Sequence, residues 1–405
     1  VSSAGDINGD GIDDLIIGAQ SADPNGNSNA GRSYVVFGSD SGLPNPLNLS
    51  DLNGSNGFVL NGESPNDHSG RSVSSAGDVN GDGIGDVIIG AYDAEQSGKS
   101  YVVFGSETGL PNPFNLSELN GFNGFVINGV PGARSGISVN SAGDVNGDGI
   151  DDVIIGAHYA DSNGINYTGR SYVVFGSDTG FPNPFNLSDL NGSNGFVING
   201  EVGYSQFGRS VSSAGDVNGD GIGDVIIGAR YTDGNGNNPN GSSYVVFGSD
   251  TGLPNPLNVS DLDGQNGFVI YGADIWDRLG VSVSSAGDVN GDGISDVIIG
   301  ANYADPNGNS NAGRSYVVFG SDIGLPYPLN LSDLNGSNGF VLNGVAEDDN
   351  SGYSVSNAGD VNGDGIDDVI IGAQYASPNG LSLAGSSYVV FGKVDLIYYD
   401  GFDEN

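Results

Sequence analysis

Residues 6–14 read Asp-Ile-Asn-Gly-Asp-Gly-Ile-Asp-Asp, which sets oxygen-bearing side chains at positions 1, 3, 5 and 9 of one short loop: Asp6, Asn8, Asp10 and Asp14. A tight loop with this spacing can turn those four groups, and the backbone carbonyl of Ile12 at position 7, toward one point. Carboxylates crowded in this way repel one another unless a cation neutralises them. Gly9 and Gly11 supply the backbone angles that such winding needs. The pattern returns as Asp78, Asn80, Asp82, Ile84 and Asp86; as Asp144, Asn146, Asp148, Ile150 and Asp152; as Asp216, Asn218, Asp220, Ile222 and Asp224; as Asp288, Asn290, Asp292, Ile294 and Asp296; and as Asp360, Asn362, Asp364, Ile366 and Asp368. No copy has lost a donor. All-oxygen ligation from a flexible loop suits calcium better than magnesium, which demands a strict octahedron and keeps its waters, and it suits neither zinc nor copper. The expected cofactor is Ca2+, about six ions, one for each loop.

Two other loop positions refine this reading. Position 8 varies among Asp13, Gly85, Asp151, Gly223, Ser295 and Asp367, as expected for a side chain that points to water and not to the ion. Position 12 carries a bidentate glutamate in an EF-hand loop, but here it holds Ile17, Ile89, Ile155, Ile227, Ile299 and Ile371. Without that ligand the sites should be weak, in the ~10⁻⁴ to 10⁻³ M range of extracellular modules. EF-hand and dockerin-like loops also lead into helices, whereas a β-like run enters and leaves each loop here. Asn-Gly and Asp-Gly are ordinary turn residues, but a plain turn has no need of three carboxylates, six times over.

The elements that position these loops repeat with them. The first aspartates fall at residues 6, 78, 144, 216, 288 and 360, so five steps separate six units, and one step is short because the segment after Ala91 is trimmed. The approximate repeats are 1–70, 71–136, 137–208, 209–280, 281–352 and 353–405, read as one propeller domain over 1–405. Each unit shows four short runs rich in Val, Ile, Tyr and Phe, such as residues 71–77, 86–91, 99–105 and 123–129, separated by Gly, Asn, Asp, Ser and Pro. A unit this small buries too little alone, so neighbouring units must cover each other's sheet faces. The run Val-Ile-Ile-Gly-Ala is apolar on both alternating faces, as a strand sandwiched between other sheets should be. The period is too long for blades of about 40 to 45 residues, and the nonapeptides of calcium β-helices are missing. The fold class expected is an all-β propeller with large four-stranded blades, and an open, non-closing stack is the structural alternative.

Composition agrees. The 405 residues include 72 glycines, no cysteine and no methionine, and 50 acidic residues face 10 basic ones for a formal charge of -40. Such a charge repels nucleic acid and anionic membranes, so neither partner is expected. No stretch approaches the ~18 apolar residues of a membrane span. The absence of Met at position 1 reads as a mature product or a fragment.

A strand, then Asp-x-Asn-Gly-Asp-Gly-x-x-Asp, then Val-Ile-Ile-Gly-Ala, then Gly-x-Ser-Tyr-Val-Val-Phe-Gly resembles the FG-GAP repeat of the integrin α-subunit propeller and its bacterial integrin-like relatives. The resemblance covers essentially the whole chain. It implies a propeller, usually of seven blades, with calcium in the loops between first and second strands of some blades. Two departures matter: ahead of the first strand of a unit the Phe-Gly of the name survives only at Phe207 and Gly208, and six visible units point to a truncated or permuted ring. The tail from Lys393 to Asn405 is a candidate replacement for a missing last strand.

In an up-and-down blade the metal loops lie at one end of the sheet and the connections between units at the other. The latter vary most, reading for instance Glu-Val-Gly-Tyr-Ser-Gln-Phe-Gly at 201–208 and Ala-Asp-Ile-Trp-Asp-Arg-Leu-Gly at 273–280. Loops on rigid scaffolds carry recognition, so this face is the candidate surface for a protein or glycan ligand, with Tyr204, Phe207, Trp276 and Arg278 as anchors, or else as loop packing. Arg134 and Arg230 share that ambiguity, and His68 and His158 read as solvent-exposed loop residues. The function expected is an extracellular calcium-binding propeller, secreted or at the cell surface, for adhesion or binding. It is not expected to be an enzyme, because every strong motif is sixfold and a catalytic site would be singular. The rivals are the propeller scaffold of a secreted hydrolase and a purely structural spacer.

Overall fold

The acidic loops of the second and fifth blades are followed by strands whose alternate side chains serve two different cores. In the second blade Val87 and Ile89 pack toward the first blade, with Ile7, Ile16, Phe58 and Leu60, while Ile88 packs toward the third, with Val153, Ile155, Tyr172 and Val174. All three are fully buried, and each such side chain contributes roughly 1.5–3 kcal/mol of hydrophobic stabilisation. The two-faced apolar pattern is therefore what a sheet between sheets requires.

The computed structural model describes residues 1–162, 164–232 and 240–393. Among these residues the only helical elements are three-residue 3-10 turns, including Leu49–Asp51, Leu116–Glu118 and Leu187–Asp189 in the Asn-Leu-Ser-Asp/Glu-Leu segments. The chain divides into two compact units, Val1–Gly203 with Ser249–Asn258, and Tyr204–Gly248 with Val259–Asn405. The first holds three blades. The second blade, for example, runs Ser72–Gly77, Asp86–Ala91, Lys99–Val103 and Gly124–Asn128 in antiparallel order. Its register sets Val73 opposite Ile89, Ile89 opposite Tyr101 and Tyr101 opposite Val126. The other unit holds blades at Ser210–Gly215 to Gly267–Tyr271, at Ser282–Gly287 to Gly339–Asn343, and at Ser351–Gly359, Asp368–Ala373 and Ser386–Val390. This is the all-β architecture of six propeller-type blades that the period implied. The sixth shows three strands among the described residues, and the tail proposed to supply its fourth lies, from residue 394, outside them.

Two features correct the picture of plain four-stranded blades. A two-residue strand in the connection between the third and fourth strands reaches back to the preceding blade and pairs in parallel with its last strand: Phe114 sits opposite Leu60, Phe185 opposite Ile127 and Leu329 opposite Ile270. Asn112 reinforces the clasp by accepting from the Val59 N–H at 3.0 Å and donating to the Leu52 carbonyl at 2.9 Å. The serines of the first strands form a second seam. Ser72 Oγ accepts from Val139 N–H and Ser282 Oγ from Val355 N–H, both at 3.1 Å, across to the following blade.

The glycine of the Val-Ile-Ile-Gly-Ala run marks a close approach of neighbouring blades at Gly90, Gly228 and Gly300. A Cβ on Gly300 would stand 1.9 Å from the carbonyl oxygen of Gly352, and one on Gly90 would stand 2.1 Å from that of Gly136. These obstacles are backbone and do not swing aside. Gly300→Ala is expected to destabilise the protein by about 3 kcal/mol or more, the range of forced overpacking, measured by denaturant unfolding against Gly293→Ala, where nothing stands within 4 Å and backbone strain at φ 87° acts alone.

Candidate functional site

The six acidic loops share one local design. In the first, Asp6 Oδ1 accepts from the N–H groups of Gly9 and Asp10 at 2.7 and 3.0 Å, and Oδ2 accepts from Gly11 at 2.7 Å. Asn8 Oδ1 accepts from Asp10 N–H, and Asp10 Oδ1 accepts from Ile12 N–H, both at 2.9 Å. The side chains of positions 1, 3 and 5 thus wind the loop around themselves, and Gly9 and Gly11 take positive φ of 73° and 85° to allow it. The same bonds recur at Asp144, Asn146 and Asp148, at Asp216, Asn218 and Asp220, at Asp288, Asn290 and Asp292, and at Asp360, Asn362 and Asp364.

Position 9 differs from the rest because it is buried. Asp86, Asp152, Asp224, Asp296 and Asp368 have no exposed surface, and Asp14 has 1%. In the second blade Asp86 Oδ2 accepts from Val79 N–H at 3.0 Å and Oδ1 from Gly105 N–H at 2.9 Å, tying the loop to the end of the third strand. Burial pushes the Asp86 carboxyl up to about 8; the two N–H bonds oppose that rise, and the charges of Asp82 and Asp78 add to it. Asp152 and Asp224 are likewise pushed up to about 8 by burial, with the aspartates at positions 5 and 1 of their own loops adding to it.

The donor chemistry fits a hard cation. An ionised carboxylate offers about four lone-pair sites, and Asp86 gives two of them to the backbone, which leaves acceptor capacity that a bound cation could use. The carboxylates themselves are not gathered to a point. Among the described residues no three His, Cys, Asp or Glu side chains stand together closely enough to hold an ion. The oxygens of positions 1, 3 and 5 are instead turned to N–H groups of their own loop, and those of position 9 to one loop N–H and one beyond the third strand.

Position 8 does not simply face water. Asp151 Oδ2 accepts from the N–H of Asp78 in the preceding loop at 2.9 Å, and Asp367 Oδ2 does the same for Asp288 at 3.0 Å. The backbone N–H of the same position donates to the preceding loop as well: Gly85 to Asp6 and Ser295 to Asp216, both at 3.0 Å. Room for these side chains comes from the glycine before each loop, since a Cβ on Gly77 would lie 2.3 Å from Asp151 Oδ2. Asp151→Ala is expected to cost about 1–3 kcal/mol by leaving the Asp78 N–H without its acceptor, measured by calcium-saturated chemical denaturation.

Comparison with known proteins matches the repeat that these loops define. The FG-GAP repeat profile fits residues 1–36, 69–103, 136–174, 207–246, 279–318 and 351–390. The chain belongs to the FG-GAP repeat family. Its relatives include phosphatidylinositol-glycan-specific phospholipase D of Bos taurus, 31% identical over 51% of this chain and 23% of that protein, and integrin alpha pat-2 of Caenorhabditis elegans, 31% identical over 58% and 18%. The phospholipase of the same name from Dictyostelium discoideum is 26% identical over 78% of this chain and 33% of its own. The chain thus spans at most a third of the length of these FG-GAP relatives.

At the other end of the FG-GAP blades the connecting loops carry strained backbone. Tyr204, Gln206, Trp276 and Arg278 have φ of 63°, 58°, 72° and 59°, in the left-handed region, where each non-glycine residue costs on the order of 1 kcal/mol or more. Of the expected anchors, Tyr204 and Trp276 are exposed, at 67% and 57%. Phe207 is not: it is buried and packs edge-on against Tyr244. His158 is also buried, with its ring 4.2 Å from that of Tyr159, and His68 pairs with Asp93 at 3.1 Å. Burial of a histidine against the ring of the next residue left no trace in the sequence. Tyrosines behind the second strands, Tyr92, Tyr159, Tyr231 and Tyr303, meet the connecting-loop arginines: Arg134 lies 5.1 Å from the ring centre of Tyr159, and Arg278 lies 3.7 Å from that of Tyr303. Recurrence of tyrosine after Val-Ile-Ile-Gly-Ala was the available signal.

Proposed function

We propose that this chain is a calcium-stabilised, non-catalytic binding propeller that acts outside the cell in adhesion or in protein or glycan recognition through its variable-loop face. The observation that carries the calcium part is the sixfold burial of a loop aspartate whose neighbours are two further carboxylates of the same loop. Burying a carboxylate beside two like charges is unfavourable, and a divalent ion offsets both terms at once. The ions would be held by the aspartates and asparagine of positions 1, 3, 5 and 9 with the position-7 carbonyl, and their contribution is structural. The recognition part rests on exposed Tyr204 and Trp276, held in strained backbone at the end opposite the metal loops. Among the described residues no helix is long and apolar enough to cross a membrane.

Isothermal titration of metal-stripped protein tests the site assignment. About six calcium ions should bind with ~0.1 to 1 mM affinity. Asp148→Ala should lower the stoichiometry by one and leave the other sites unchanged; an unchanged stoichiometry would remove the loop from the metal set. Screening for phosphodiester and glycoside hydrolysis addresses the rival enzymatic reading, which any turnover would revive.

A further inference from the structure

Two equivalent places on the variable-loop face differ in charge. Between the second and third blades, Arg134 lies 5.9 and 5.1 Å from the ring centres of Tyr92 and Tyr159, and its Nε meets Asp93 Oδ1 at 3.3 Å. Between the fourth and fifth blades, Arg278 takes the matching position, 5.3 and 3.7 Å from Tyr231 and Tyr303. The loops are equivalent by their hydrogen bonds: Gly98 N–H donates to the Ala94 carbonyl as Gly241 N–H does to that of Thr232. Tyr92 and Asp93, which precede Ala94, therefore correspond to Arg230 and Tyr231, which precede Thr232. The second place has lost the carboxylate and gained a guanidinium.

Arg230 lies 4.9 Å from the Tyr231 ring centre, so both guanidiniums flank one phenol. Its Nε donates to Gln206 Oε1 at 2.7 Å, one of five donors that an arginine carries. Among the described residues neither Arg230 nor Arg278 meets a carboxylate. Three other cations among those residues do: Lys99 pairs with Glu63 and Glu95, Arg134 with Asp93 and Arg314 with Asp274. Burial lowers the Arg230 pKa, and the charge of Arg278 lowers it further. The loops are fixed in place, with Tyr231 N–H donating to the Ser205 carbonyl at 3.1 Å and Tyr303 N–H to that of Asp277 at 3.3 Å. A rigid pair of forked donors set among aromatic rings is built for planar, bidentate recognition.

We infer that Arg230 and Arg278, with Tyr231 and Tyr303, receive a carboxylate from outside the chain: an Asp or Glu side chain of a protein partner, displayed on an otherwise uncharged segment. The inference rests on the reading of this face as a partner surface and names its chemistry. The internal precedent is an aspartate, which points to a carboxylate. A net charge of -40 and the exposed Asp274 nearby disfavour a polyanion, while a single carboxylate in direct contact with two arginines lies inside the ~8 Å over which charge acts in physiological salt. Exposed Trp276 beside the pair supplies the aromatic flank common at protein hot spots.

Trp276 is the sole tryptophan of the chain and so reports the site by its fluorescence. The full chain in calcium buffer at fixed ionic strength is titrated with N-acetyl-aspartate methylamide and, separately, with its asparagine counterpart. A saturable change with the aspartate compound alone is expected, weakened at least ~10-fold in Arg230→Gln and in Arg278→Gln, both checked by their calcium melts. Tyr231→Asp, which restores the carboxylate found at Asp93, should abolish the response and raise the melting temperature. Equal or non-saturable responses to the two compounds, or a response untouched in Tyr231→Asp, would overturn the inference. The wider reading fails separately, if adhesion of the protein to cell or matrix surfaces is unchanged by Tyr204→Ala with Trp276→Ala.

Discussion

Stripping calcium is expected to lower the melting temperature of this protein by roughly 8–16 °C, with magnesium at equal concentration restoring little of it. At ten times its dissociation constant an ion that binds only the folded state adds about 1.4 kcal/mol, so three independent ions in each unit add ~4 kcal/mol to it. For folding units of about 200 residues each kcal/mol moves the midpoint by about 2–4 °C. The size of the effect follows from how the loops are built into the fold. Asp86 bridges the start of its loop, at Val79, to Gly105 beyond the third strand, and the carbonyl of Val79 accepts from Ser177 in the next blade at 2.9 Å. A loop that loosens therefore loosens both its own sheet and the contact to its neighbour. Differential scanning calorimetry in calcium, magnesium and metal-free buffer measures this directly; coincident melts in all three would mean that the aspartates have a role other than metal binding.

Much of the fold could be read before any coordinates because its signals are local and repeated. Six copies of an apolar run behind an acidic loop fixed the number of units, and the alternation within Val87, Ile88 and Ile89 announced a strand with cores on both sides. What stayed hidden is what joins residues distant in sequence. The partner of Asp86 Oδ1 is Gly105, and the partner of Asp151 Oδ2 is Asp78 in another blade; neither separation carries a periodic mark. The clasp strands, such as Phe114–Asn115, are two residues long, too short to alternate. Phe207 and Leu279 precede the same glycine in successive connecting loops and both are buried, so an aromatic residue in a variable loop serves packing there, while Tyr204 and Trp276 stay exposed.

The second large effect is on pH, and its sign separates the metal-free from the metal-bound protein. Without metal, burial raises Asp86, Asp152 and Asp224 to about 8, Asp296 to about 7 and Asp14 to about 6, against an ordinary value of 3.8. A carboxyl whose folded value is raised binds its proton more tightly in the folded state. Its contribution is fully present below pH 3.8 and is lost as pH climbs through the folded value, so the metal-free protein should weaken progressively from about pH 4 to just above pH 8 and level off beyond. A tenfold change in the proton affinity of one group corresponds to about 1.4 kcal/mol, so five groups titrating in the same direction make the loss large against the stability of a whole domain. Saturating calcium reverses the sign. Ligation favours the ionised carboxylate, which depresses the folded value below the unfolded one, and that contribution is present above the unfolded value and lost as pH falls through the folded one. Denaturant midpoints of dialysed, metal-free protein should thus fall from about pH 4 to pH 8, while those at saturating calcium should rise or stay level over the same interval. Asp224→Asn, which keeps the shape and removes the titration, should flatten part of the metal-free slope and cost the calcium-bound protein stability. A metal-free slope of the opposite sign would mean that these buried carboxylates remain ionised through contacts other than the ones described, and that cations have less to do in these loops than their composition demands.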